Sequence, residues 1–334
     1  MTYASGNLIQ AADYNGFVST TANANINATW NTTYGQTALA TVSAGGTVSA
    51  TQWATLNSTI SSMATHQGTA ITSRTSPVTG NTITALANVN TDITNCYTNR
   101  LNANSVGAQF TAWSGTAYFT TNVGNTGGNT SGAWTATFTD TITFANSTAA
   151  NSFFNAGGYA QIQFGKSSTG TVADTEWNLF IGNAGAGGTV ASKVILTSDA
   201  ATKTIAGVSY QGTYKTGGTG TPSILTTGTG FNQLTTTPTT IYKQFDTGAA
   251  YSGNYVQINA SKNATGNVIT LTTTWFDAGD TNPGTVTTIT GGTPTSGISF
   301  GSGAATVVTM YPPETTNISS VWGSFTVASS IANT

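Results

Sequence analysis

The residues able to do chemistry are few. The 334-residue chain has one histidine, His66, one cysteine, Cys96, and two glutamates, Glu176 and Glu314. A zinc cluster needs about four Cys/His ligands and an intrachain disulfide needs two cysteines, so both are excluded. His66 sits in no recognisable nucleophile or base motif. At the end of a helix it is expected to hydrogen-bond the last carbonyls or a neighbouring chain. Cys96 falls on an apolar stripe and reads as a small core hydrophobe. Glycosidic cleavage needs two carboxylates facing one bond, and nothing in the spacing pairs any of these. No enzyme and no cofactor is expected.

Four local motifs invite a chemical reading. Gly297-Ile298-Ser299-Phe300-Gly301 matches a nucleophile elbow, but a strand pattern follows it where a helix is needed, and the only histidine lies far upstream. Gly165-Lys166-Ser167 echoes a phosphate loop, yet Ala160 stands where the partner glycine belongs, and the segment ends a strand pattern. The glycines from Gly182 to Gly188 precede a strand, which fails the dinucleotide fingerprint. Asp277, Asp280 and Asn282 put three oxygen-bearing side chains at short spacing, a weak Ca²⁺ candidate without the closing glutamate of an EF-hand. A solvated turn is the favoured reading of that loop. Trp113, Trp134, Trp177, Trp275 and Trp322 have rings suited to stacking on sugars, and core or intersubunit packing is favoured over that role.

Any such residue must be positioned by the elements around it. In the first hundred residues the apolar spacing is helical. Trp53, Leu56, Ile60 and Met63 form one stripe, and Leu86, Val89, Ile93 and Cys96 form another. Ser49 and Thr84 suit the N-cap positions, and Gly68 suits a C-terminal stop. Three phrases form a weak internal repeat, in which Tyr14-Asn15, Leu56-Asn57 and Val89-Asn90 are each followed three residues later by Val18, Ile60 and Ile93. The stripes are narrow, so the helices are expected to pack on one another or on identical helices of other chains. Trp53, Leu56, Ile60, Met63, Leu86, Val89 and Ile93 are the interface candidates.

Beyond about residue 105 the period becomes two. Trp134, Ala136, Phe138, Ile142 and Phe144 alternate with polar residues, as do Ala160, Ile162 and Phe164, then Val256, Ile258 and Ala260, then Ile269, Leu271, Thr273 and Trp275. Glycine-rich clusters separate these runs. Short helices are predicted over 147–155 and 174–183. The fold class is α+β: a helical region, 1–105, followed by a mainly antiparallel β-sandwich-like body, 106–334, with a possible subdivision near 215–230.

Composition narrows the partners. Charged residues make up 5 % of the chain and the net charge is −2, which rules out a basic groove for nucleic acid. Seventy-two threonines and 39 glycines dominate, while aromatics reach 10 % and argue for an ordered chain. No run of 18 apolar residues exists, so no membrane insertion is expected. Met1 to Gln10 lacks the pattern of a signal peptide. Outward-facing threonine supplies β-propensity without the charges that usually guard sheet edges, so edges are expected to be covered by other chains.

The phrases Trp30-Asn-Thr-Thr-Tyr34-Gly-Gln-Thr37 and Val42-Ser-Ala-Gly-Gly46-Thr-Val-Ser-Ala50-Thr-Gln-Trp53 resemble a repeat in virion structural proteins of tailed bacteriophages, especially marine phages of cyanobacteria. The resemblance covers residues 1 to about 105 and brings no catalytic residue. It implies a virion location after assembly in the host cytoplasm, as a tail or fibre-like appendage subunit. The partners would be copies of the same chain, as a homotrimer, and other virion proteins. A host-surface glycan-binding adhesin and a capsid-decorating or neck protein are the alternative roles.

Overall fold

The computed structural model describes residues 11–19, 24–76, 78, 86–102, 118–122, 134–165, 181, 192–199, 202–205, 208–246, 252–278 and 304–333. Helices come first: α1 (Ala11–Val18), α2 (Ile26–Trp30), α3 (Ala50–Gln67) and α4 (Leu86–Thr98). Ser49 caps α3 as expected, its hydroxyl accepting from the Gln52 amide while the Gln52 side chain accepts from the Ser49 amide. Gly68 ends α3 in the left-handed conformation at φ 67°, a position where a Cβ would be strained. Thr84 lies outside the described residues.

The segment between α2 and α3 forms no helix or strand, and side-chain amides pair with the backbone of two of its residues. Asn15 donates to the Val42 carbonyl at 2.7 Å and accepts from the Val42 amide at 2.8 Å. Asn27 does the same for Leu39, at 2.9 Å each way. Each amide therefore mimics one rung of a β-ladder. The repeated asparagines do not share this role, since among the described residues Asn57 and Asn90 make no such clip and Asn90 is exposed.

The β body has two antiparallel sheets. The six-stranded sheet has the order β13 (Phe325–Asn333), β2 (Trp134–Phe144), β11 (Val268–Asp277), β10 (Tyr255–Lys262), β9 (Thr239–Phe245), β8 (Ile224–Leu225). The five-stranded sheet runs β1 (Tyr118–Asn122), β12 (Ala304–Tyr311), β3 (Tyr159–Gly165), β4 (Lys193–Leu196), β7 (Thr213–Thr216). A separate hairpin pairs β5 (Thr202–Ile205) with β6 (Val208–Gln211). Helix α5 (Ser147–Asn155) follows β2, as its sequence predicts. The 174–183 helix falls almost wholly outside the described residues.

The two sheets pack face to face. Trp275 of β11 meets Phe164 of β3 edge-on at 6.2 Å, and its indole N–H donates to the Thr306 hydroxyl of β12 at 3.1 Å. Residues 215–230 carry the chain from one sheet to the other. Each sheet contains strands from both sides of that stretch, so it is a crossover within one sandwich and not a subdivision.

The helical stripes are not exposed for other chains. Trp53, Leu56, Ile60, Met63, Val89 and Ile93 are each at most 2 % exposed within a single chain, in one core that also contains Phe138, Phe153 and Trp275. This corrects the expectation of an interface. Tyr14 and Phe17 of α1 cover Trp53 edge-on at 5.7 and 5.9 Å, so neighbouring helices fill the stripe. Leu86 opens α4 by its backbone, and its side chain is outside the described residues.

Candidate functional site

The single histidine joins three distant parts of the chain. His66, near the end of α3, is 1 % exposed. Its Nε2 lies 2.8 Å from the Ala156 carbonyl at the end of α5, and its Nδ1 lies 2.8 Å from Glu314 Oε1. Glu314 follows β12, 248 residues away in sequence. A carbonyl only accepts, so Nε2 carries a proton. Glu314 also accepts from the Thr316 amide and from the Asn317 amide and side chain. Burial raises its carboxyl, but the bonds from His66 and then Asn317 outweigh it and hold the group at about 2. His66 thus bonds the sandwich instead of its own helix carbonyls or a neighbouring chain, a correction to the sequence reading.

Two more contacts lie on the same seam. The Gln36 side chain donates to the Ser319 carbonyl at 2.8 Å and accepts from the Ser319 amide at 3.0 Å. Gly35, at φ 71°, lies so close to α5 that a Cβ would come within 2.2 Å of the Ser152 hydroxyl. Tyr34 packs edge-on against His66 and accepts from Gln67 at 2.7 Å. Tyr34, Gly35 and Gln36 are therefore part of the seam between helices and sandwich.

A second buried ionisable group lies inside the sandwich. Asp140 sits on the inward face of β2, in phase with Phe138 and Ile142, and is fully buried. The Ser329 hydroxyl of β13 donates to its Oδ1, while Oδ2 finds no hydrogen-bond partner among the described residues. Burial pushes this carboxyl up to about 7, against the lowering effect of the Ser329 bond. Its phase in the β2 alternation was visible in the sequence, and its polarity hid it. Arg74 pairs with Asp92, and Cys96 is buried with its thiol pushed up to about 12 by desolvation and then by Asp92.

The remaining sequence candidates are dispersed. Asp277 ends β11 and is 7 % exposed, so it does not lie in a solvated turn; it shares that end of the sheet with buried Asp246 and Asn254. Asp280 and Asn282 lie outside the described residues, as do 297–301, Lys166 and Ser167. Among the described residues no group of three His, Cys, Asp or Glu could hold a metal, and no helix is long and apolar enough to cross a membrane. Trp275 is fully buried and Trp322 is 3 % exposed, so neither ring stacks on a sugar. Trp322 floors a hollow of about 310 Å³ with Pro312, Pro313 and Phe325. Trp113, Trp177 and the Trp134 side chain are outside the described residues.

The outer face of the six-stranded sheet is a candidate that the sequence did not reveal. Thr135, Thr137, Thr139, Thr141 and Thr143 of β2 point outward beside Thr270, Thr272 and Thr274 of β11. Gln257 and Asn259 of β10 continue these rows. At one corner Phe245, Tyr255 and Phe276 stand in a single row across β9, β10 and β11. Tyr255 and Phe276 are stacked at 4.9 Å, and the Lys243 ammonium lies 3.7 Å from the Tyr255 ring centre. Only strand register brings these four together.

No family model matches the chain, and comparisons with curated proteins and with solved structures also return no match.

Proposed function

We propose that the chain is a structural subunit of a bacteriophage particle, a tail or fibre-like appendage protein that works through its surfaces and not through catalysis. One observation carries this reading: among the described residues His66, Glu314 and Cys96 are engaged in holding the fold. His66 uses both ring nitrogens, Glu314 has four donors, and Cys96 is buried with its thiol held protonated. The virion-like phrases of residues 30–53 support the particle assignment, and they contribute to the seam and to the capping of α3.

The subunit would assemble with copies of itself, as a trimer, and with other virion proteins in the host cytoplasm. Because the helical stripes are filled internally, such contacts would use outer surfaces of the sandwich. The test is gold-labelled antibody against residues 230–334 on purified particles, viewed by electron microscopy. Label at tail, collar or fibre ends is the expected result. Label spread over the head would replace this reading with a capsid-decorating one, and a chain absent from particles would overturn it.

A further inference from the structure

The aromatic corner of the six-stranded sheet has features of a ligand site. Phe245 is 38 % exposed and Ile224, beside Lys243 in the next strand, is 37 % exposed. They are two of only four large hydrophobics exposed to that extent among the described residues, and they lie on one patch. Lys243 is the one formal charge in the outward rows of β2, β9, β10 and β11. Its ammonium lies over the Tyr255 ring at 3.7 Å and the Phe245 ring at 4.6 Å, and both ion pairs among the described residues are elsewhere.

The ring geometry restricts the ligand. β9 and β11 flank β10 on opposite sides, so Tyr255 has Phe276 against one face and Lys243 over the other. A neutral sugar stacking its C–H face on Tyr255 finds both faces of that ring covered. What stands out on the patch is a single ammonium held over two aromatic rings. Its positive charge favours an anion. The next row, Gln257, Thr274 and Thr137, offers amides and hydroxyls with no further charge. A ligand matching this surface has one anionic group among many hydroxyls, and a polyanion such as nucleic acid finds no second cation.

We propose that this corner binds an acidic saccharide, its anionic group on Lys243 and its hydroxyls on Gln257 and Thr274. The proposal deepens the reading of the protein as a particle-surface subunit and rests on it.

The test is calorimetric titration of the full chain with three oligosaccharides of equal length: an oligogalacturonate, a sulfated oligosaccharide and a neutral galacto-oligosaccharide. At least one acidic sugar is expected to bind tenfold or more tightly than the neutral one, and the better of the two identifies the anionic group. Lys243→Met is expected to weaken that binding at least tenfold, and Lys215→Met, a lysine of the other sheet, to leave it unchanged. Equal unfolding midpoints for the two variants show that the fold is intact. Binding of neither acidic sugar, equal binding of the neutral one, or an unaffected Lys243→Met overturns the proposal. So does equal binding of an acidic peptide, which would mark a protein contact instead. If sugar binding fails while antibody still labels particles, the saccharide site falls and the structural role stands.

Discussion

At the scale of single residues, two buried carboxyls have opposite pH signatures. Glu314 titrates lower in the folded chain than in the unfolded one, so its contribution is complete above about pH 4.5 and is lost as pH falls toward 2. Asp140 titrates higher when folded, so its contribution is complete below about pH 4 and is lost as pH rises toward 7. Together they place the stability maximum near pH 4 to 5, with losses on the order of 3 kcal/mol toward each side. Urea unfolding from pH 2 to 8 measures this profile. Asp140→Asn is expected to remove the decline between pH 4 and 7 and to raise stability at pH 8. A wild-type profile flat across that range would contradict the assignment. His66→Ala removes the ring that bonds both buried Glu314 and the Ala156 carbonyl, and a loss of about 3 kcal/mol at pH 6 is expected in the same experiment.

Among the elements, the local ones were legible and the long-range ones were not. The stripe from Trp53 to Met63, the cap at Ser49 and the stop at Gly68 follow from spacing and turn chemistry within 20 residues. The alternating runs from Ala136 to Phe144 and from Ile269 to Trp275 likewise located β2 and β11. The burial of those stripes by α1 and the sandwich was hidden, because a stripe pattern does not say which surface fills it. The partner of His66 was hidden too, since it comes from a residue 248 positions away. The aromatic corner depends on the registers of three strands, which alternation leaves open. At this scale the amide clips make a sharp prediction. Asn27→Ala should strand the backbone N–H and C=O of Leu39 and cost about 1–3 kcal/mol by chemical denaturation. A similar loss is expected for Asn15→Ala at Val42. The exposed Asn90→Ala should stay within about 0.5 kcal/mol of wild type.

Over the whole molecule, the helices and the sandwich share one core and one polar seam. Leu56, Ile60 and Met63 belong to the same buried cluster as Phe153 and Trp322, so a helical docking region attached to a separate body does not describe this chain. Gly35→Ala would combine an unfavourable positive φ with a clash on Ser152, and it should lower stability by about 2 kcal/mol or more while leaving unfolding cooperative. The outward face is built the opposite way, with threonine rows that hold the sheet without charge and one cationic, aromatic corner.

The most direct test of this account is native-state hydrogen exchange resolved by segment, comparing α3 with β2 and β11 in the intact chain. One core and one seam should make the slowest amides of all three open together, with the free energy of global unfolding. Release of α3 at a free energy several kcal/mol below that of β2 and β11 would contradict the shared core, and would restore the helices as an independent region.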